Sequence, residues 1–267
     1  MPDPLLPLLP GPQDADRPWL VCYGIDERVE LTGHVLSMWL AKIAGFVTSE
    51  SVPGDGVHVA LPPHWRSVAW ACGTWLAGRS VLLGSNEEIR TAGLIPELSV
   101  AFTPESLYDE AEAQALVPPA SLALRWPDEL PALVLDGAAD LMHYPDRFTP
   151  VSTAADSVCL TDLTSEAAAP AAPSAPGGTA PSGGRLTVLT RAQLAARVEA
   201  ADAPTGSGRH SASRAVLVRS PDTAQMLQEV LVAWRTGRTA VVLTPEAGDD
   251  VAAAAIRQEG IQEDITA

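Results

Sequence analysis

Short aliphatic runs alternate with stretches of helical periodicity along this chain, and Gly or Pro separates most of them. Residues 19–23 read as an extended segment. Leu36, Leu40, Ile43 and Val47 then recur at helical spacing, with Thr32 placed to cap the first turn. Pro53-Gly54-Asp55-Gly56 is a turn signal, and residues 57–61 form a short apolar strand after it. Val68, Cys72, Trp75 and Leu76 share one helical face that stops at Gly78, and residues 81–83 are the next strand. Further on, the pattern predicts strands over 98–102, 133–135 and 156–160 and an acidic helix over 108–116. It then predicts a strand over 186–189, a helix from Thr190 through Ala200, and a last helix over 249–257.

The stretch 56–84 aligns without a gap with 215–243, 159 positions later. Val57/Val216, Val59/Val218, Pro62/Pro221, Trp75/Trp234, Gly78/Gly237 and Arg79/Arg238 coincide. These are the constrained places of a βαβ unit: strand interior, turn into the helix, last helical turn and the Gly that ends it. The fold class expected is therefore α/β, with two similar βαβ-containing sub-sheets that are mainly parallel and covered on both faces. Residues 1–18 form an extended opening segment, 19–163 a first half, 164–185 a loop and 186–267 a second half. The core of that loop, 167–184, is almost entirely Ala, Pro, Ser, Gly and Thr, a composition too poor in apolar surface to order itself. A second such loop is expected over 203–213.

Charge narrows the partners. The net charge is −16, with lysine only at Lys42, which argues against nucleic acid. No apolar run reaches the ~18 residues of a membrane span. The opening residues are broken by prolines and lack a basic region, so a secretory signal is not expected. Three scattered cysteines, Cys22, Cys72 and Cys159, fit neither a disulfide framework nor a metal motif, and a reducing cytoplasm follows as the expected location.

Catalytic motifs are missing: no nucleophile elbow, zinc helix, Walker loop or dinucleotide fingerprint occurs. The five histidines lack ligand spacing, so no metal site is expected. His64-Trp65 opens the first repeated helix, where His64 reads as a cap in preference to a cleft residue. Trp75 and Trp234, equivalent in the repeat, read as core, as do Trp39, Trp65 and Trp70 in preference to a ligand pocket. Gly177 to Arg185 has the glycines and hydroxyls of an anion cradle but reads better as a linker.

Three stretches carry a family resemblance. Arg28-Val29-Glu30-Leu31-Thr32 with its helix, Pro53 to Pro62, and Ala71 to Val81 together resemble the amino-terminal part of the AMP-forming superfamily. That superfamily comprises acyl- and aryl-CoA synthetases, peptide-synthetase adenylation domains and luciferases. The second repeat is similar to the strand–helix–strand after that family's phosphate loop. More narrowly, the chain resembles a group of short actinobacterial relatives of these enzymes.

The resemblance implies nucleotide contacts at Thr164, Ser165, Gly183, Gly184 and Arg185. By position it also implies a ligand cleft near His64, Trp65, Ser85, Ser220 and Thr244 at the strand ends. Departures from the family pattern set the functional expectation. The phosphate-loop lysine is absent, with Arg185 the nearest stand-in, and the magnesium motif and small carboxy-terminal domain have no counterpart. Each lost tenfold in rate corresponds to roughly 1.4 kcal/mol of missing transition-state stabilisation. The expectation is a truncated, non-catalytic adenylation-like protein with no catalytic residue. AMP, ATP or CoA would be ligands at most, not cofactors supporting catalysis. It would bind a small acyl, aryl or nucleotide ligand, or a protein partner including a second copy. The alternatives are an acyl-adenylating subunit completed by another chain, and a scaffold.

Overall fold

In a computed structural model, residues 2–11, 14, 16–164, 186–202 and 214–261 are described. The chain enters its first strand, β1 (Pro18–Tyr23), and returns antiparallel as β2 (Arg28–Thr32). Thr32 then caps α1 (Gly33–Glu50), its hydroxyl accepting from the Val35 N–H at 3.3 Å. The order continues with β3 (Val57–Ala60), α2 (Trp65–Leu76), β4 (Val81–Leu83), α3 (Asn86–Ala92) and β5 (Leu98–Ala101). Two short strands follow, β6 (Gln114–Leu116) and β7 (Leu135–Asp136). β8 (Val158–Asp162) and β9 (Thr187–Thr190) form a second antiparallel pair, and α4 (Arg191–Asp202) comes next. β10 (Ala215–Val218), α5 (Thr223–Arg235), β11 (Thr239–Leu243) and α6 (Asp249–Glu259) complete the described chain.

Two sheets result, in the orders β10-β11-β1-β2 and β7-β6-β5-β3-β4-β8-β9. All pairs are parallel except β1–β2 and β8–β9. The repeat visible in the sequence has one geometry in both copies. Val57 pairs with Val81 and Val216 with Ala240, the same register in each. Gly78 and Gly237 end their helices at φ +76° and +73°, a conformation a Cβ would strain.

The duplication extends to the strand pairs. Leu160 sits beside Val81 as Leu20 sits beside Ala240, and both pairs carry an irregularity two residues earlier. Both end on a capping threonine, Thr32 or Thr190, whose hydroxyl accepts from the amide three residues on. Each strand pair, however, joins the sheet of the other copy. The β1–β2 pair extends β11, and β8–β9 extends β4. Neither sheet is therefore drawn from 19–163 or from 186–267 alone. Trp75 and Trp234 secure this exchange. Their indole N–H groups donate at 2.8 Å to the carbonyls of Cys159 and Trp19, equivalent positions on the exchanged strands. Both rings are buried, as expected of core residues.

The opening segment is pinned as well. Leu5 and Leu9 are buried around a 3-10 turn, Leu6–Leu8. Asp3 accepts from the Arg191 guanidinium at 2.6 Å in a pair whose side chains are at most 1% exposed. Arg191 also donates to the Trp75 carbonyl at 2.9 Å.

One expected element is wrong in kind. Residues 108–116 are not a helix: Tyr108 begins a turn, and Gln114–Leu116 forms β6 beside β5. The Ser99 N–H donates to the Ala113 carbonyl at 2.9 Å, so sheet pairing and burial of Tyr108, Ala115 and Leu116 override the helix preference of the Ala/Glu composition. The strand expected over 133–135 is β7, displaced to Leu135–Asp136; Leu133 itself is exposed at φ +67°. The 167–184 and 203–213 loops lie outside the described residues. No described helix is long and apolar enough to cross a membrane.

Replacing Trp75 or Trp234 by Phe strands one buried carbonyl. Each variant is expected to lose about 1–3 kcal/mol of unfolding free energy in urea titration. Asp3→Ala, which leaves the buried Arg191 charge without its carboxylate, should cost more, about 3–5 kcal/mol.

Candidate functional site

Parallel strands leave their crevice at the carboxyl ends, and here the ends of both sheets face one another. One cavity of about 380 Å³ lies between the β1–β2 turn (Gly24 to Glu27), Pro62-Pro63-His64 after β3, Phe102 after β5, Pro119, and Thr244-Pro245-Glu246 after β11. A second, of about 310 Å³, shares Pro62, Pro63 and Pro245 with it. That second cavity adds Gly84 after β4, Thr164 after β8, and Pro221-Asp222-Thr223 after β10. The Thr223 hydroxyl donates to the Leu61 carbonyl at 2.8 Å, tying the two repeated units together at the cleft floor.

His64 explains how one wall is built. Its backbone is extended, and its Nδ1 accepts from the Arg66 N–H at 3.2 Å, capping α2. The Ser67 hydroxyl accepts from the His64 N–H at 3.0 Å in return. An Nδ1 that accepts carries no proton, so in the neutral ring the proton sits on Nε2. Nε2 lies 3.2 Å from Ser121 Oγ, and the Ser121 hydroxyl donates to Glu27 Oε1 at 2.6 Å. Burial pushes His64 down to about 4; Arg66 adds to the effect and Glu27 opposes it. Arg66 closes the wall from behind, donating to the carbonyls of Ala120, Ser121 and Ala123 with its guanidinium 4.5 Å over the Trp65 ring. Burial pulls Arg66 down to about 10, against the attraction of Glu27 and Asp136.

This wall is built to hold shape. His64 spends its lone pair on the helix and its proton on Ser121, leaving nothing to act as a base. The three cysteines are buried, with the Cys22 and Cys159 thiols pushed up to about 12, chiefly by burial. Among the described residues no three His, Cys, Asp or Glu side chains meet as a metal site. Lys42, the one lysine, is engaged on α1 with the Tyr144 carbonyl at 2.8 Å and Asp146 at 2.6 Å.

Of the residues placed in the cleft by position, the fold brings His64 and Thr244 into the first cavity; Thr164, given by the resemblance as a nucleotide contact, lines the second. Thr164 folds back on Asp162, both its N–H and its hydroxyl donating to Oδ1, at 2.9 and 2.6 Å. Ser165, Gly183, Gly184 and Arg185 lie outside the described residues. Trp65 turns into the core, its ring edge-on to Trp39 with centroids 5.4 Å apart. Ser85 caps α3 through Glu88 and lines a separate polar cavity of about 390 Å³. Ser220 is buried, lining neither cavity. Sequence reasoning missed Glu27, Phe102, Ser121 and Asp222. Glu27 sits in a two-strand turn whose partner sheet is set by residues two hundred positions away, and Ser121 has no local signal at all.

No protein-family model matches the chain. A Mycobacterium tuberculosis protein known by a family designation is 27% identical over 129 residues, which is 46% of this chain and 51% of that protein. Among solved structures, an acyl-CoA synthetase from Brucella canis superposes with a TM-score of 0.69 at 17% identity, over 97% of this chain and 48% of its own. The N-terminal subdomain of NpsA from Klebsiella oxytoca gives a TM-score of 0.63 at 14% identity, over 97% and 59%. The chain thus has the fold of the amino-terminal part of AMP-forming acyl-CoA synthetases and adenylation domains, and it spans about half the length of the relatives it matches.

Folded His64 stays neutral while an unfolded chain takes up a proton below about 6.5, so between roughly pH 4 and 6.5 unfolding binds a proton. Stability should be complete above that window and fall as pH drops through it. His58, lowered by burial against the opposing effect of its bond to the Gly84 carbonyl, adds to the same loss. His64→Asn keeps a capping side chain and removes one titration. Its urea midpoint should therefore fall less between pH 7 and pH 5 than that of the parent chain.

Proposed function

We propose that this protein is a non-catalytic, adenylation-like binding protein that receives a small, mainly apolar acyl or aryl group in the cleft at the strand ends. The observation that carries this reading is the composition of the cleft walls. Ile25, Pro62, Pro63, Phe102, Pro119 and Pro245 supply apolar surface. Asp26, Glu27, Asp222 and Glu246 supply carboxylates, and no lysine or arginine of the described residues lines either cavity. Such walls favour an apolar body and work against a phosphate-rich one, since phosphoryl chemistry depends on neutralising charge at the phosphates. The nucleotide ligands that the fold's relatives suggest therefore rank below an acyl or aryl group. The net charge of −16 and the absence of any lysine besides Lys42 agree with this ranking.

The fold shared with acyl-CoA synthetases supports one other reading, an acyl-adenylating subunit that works with a second chain. The two readings separate in one set of measurements on the purified chain. Benzamide and benzoate, ATP with magnesium, AMP and coenzyme A are compared by thermal shift. Acid-dependent pyrophosphate exchange is then assayed with and without cell extract. The expected result is a rise in Tm with the aryl compounds, larger for neutral benzamide than for benzoate, and no exchange. Ligand at about 100 times its Kd adds about 2.7 kcal/mol, several degrees for a chain of this size. Phe102→Ala should abolish the shift. Exchange that requires the acid would replace this reading with the catalytic one.

A further inference from the structure

The first cavity of the cleft is poor in hydrogen-bond donors. Pro62, Pro63, Pro119 and Pro245 are four of its twelve lining residues, and a proline carries a carbonyl but no N–H. Other donors in its walls are already spent inside the protein. The Gly24 N–H donates to the Glu27 carbonyl at 2.9 Å, and the Thr244 N–H to the Tyr23 carbonyl at 3.0 Å. The His64 N–H goes to Ser67 at 3.0 Å, and its Nε2 proton to Ser121 at 3.2 Å. Acceptors are plentiful by comparison, because the carboxylates of Asp26, Glu27 and Glu246 line the same cavity. A ligand entering such walls gains most when it brings donors of its own.

Glu27 is held in place by a single partner residue. Ser121 donates to it twice, through its hydroxyl to Oε1 at 2.6 Å and through its N–H to Oε2 at 3.2 Å. Each carboxylate oxygen has two lone pairs, so both keep accepting capacity, and the side chain is 38% exposed. The neighbouring cations do not cancel its charge within the cavity. His64 Nε2 lies 3.8 Å from Oε1, but burial keeps that ring neutral at pH 7. Arg66 attracts Glu27 while its guanidinium serves the Ala120, Ser121 and Ala123 carbonyls behind the wall. Arg28, next in the chain, is paired with Glu30 at 2.7 Å and Glu259 at 2.9 Å. Phe102 adds an aromatic ring to the same walls, packed edge-to-face on His64 with centroids 5.3 Å apart. The π-face of such a ring attracts a cation as well as an apolar body.

Resting on the reading of this cleft as a site for an acyl or aryl group, we infer that its ligand carries a protonated amine. The apolar body packs against Phe102 and the prolines, and the ammonium donates to Glu27, with the exposed Asp26 and Glu246 adding negative charge at the rim. An ammonium brings three donors and one positive charge, which answers both the shortage of donors and the excess of carboxylate. A neutral amide or alcohol answers only the first. A carboxylate on the same body answers neither and meets like charge.

The test is titration calorimetry of the full chain with benzylamine, benzyl alcohol, benzamide and benzoate, and with ethylamine as a charge without an aryl body. Benzylamine should bind on the order of tenfold more tightly than benzyl alcohol, a difference of about 1.4 kcal/mol, and benzoate should bind most weakly. Ethylamine should give no measurable binding, which separates the cavity from diffuse attraction to a chain of net charge −16. Glu27→Gln keeps an acceptor for Ser121 and removes the charge. Benzylamine should then bind no more tightly than benzyl alcohol, whose own Kd should stay nearly unchanged. Asp26→Asn, at an exposed position, should lower the preference by a smaller factor, and it serves as the test if circular dichroism shows Glu27→Gln to be unfolded. Benzylamine no tighter than benzyl alcohol, ethylamine as tight as benzylamine, or a preference untouched by these substitutions would overturn the inference and leave the aryl reading standing. Binding of none of the aryl probes would overturn both.

Discussion

Two indole N–H groups, donating to carbonyls on strands that belong to the opposite repeat, hold the architecture together. A strand–helix–strand unit buries one face of its helix but leaves a sheet edge open. Here each unit's edge is filled by the antiparallel pair that introduces the other unit: β8–β9 on β4, and β1–β2 on β11. Neither copy can complete its sheet alone, so the two sheets form as one object. Trp75 and Trp234 convert that topological dependence into specific bonds at 2.8 Å, and the buried Asp3–Arg191 pair fastens the opening segment to the same junction.

The cleft is a consequence of this exchange. Because the units face each other with their strand ends together, turns far apart in the chain, Gly24 to Glu27 and Thr244 to Glu246, line one cavity. Its wall chemistry follows from structural duties already in place. His64 must remain neutral to cap α2, and Arg66 must stay against Trp65 and three carbonyls to hold the 120–123 turn. What these groups leave exposed to the cleft is proline, phenylalanine and carboxylate. Among the described residues, neither lysine nor arginine lines either cavity. The fold shared with acyl-CoA synthetases supplies the position of the cleft, while the residues of this chain set what it can hold.

Much of the local structure was legible because it depends on neighbours within a few positions. The α1 stripe of Leu36, Leu40, Ile43 and Val47, the Thr32 cap, and the stop at Gly78 all obey short-range rules, and all appear. The helix expected over 108–116 failed for the complementary reason. Its Ala and Glu content favours a helix, but a parallel place beside β5 and the burial of Leu116 outweigh that preference. At the cleft, His64 and Thr244, placed by counting to strand ends, line the first cavity, and Thr164, which the family resemblance gives as a nucleotide contact, lines the second. Trp65 lies in the core, as its reading as a core residue has it, and Ser220 is buried; a count to the strand ends cannot tell which way a side chain leaves the turn.

By itself, then, the amino-acid sequence determined the repeated unit, its helix caps and stops, its parallel strands, and its acidic net charge. Periodicity, glycine conformation and composition act locally or on the chain as a whole. Only the tertiary structure decided which unit receives which strand pair, and therefore which distant turns meet. Sheet pairing is chosen by complementary edges and burial across the whole molecule, and no window of sequence contains both partners.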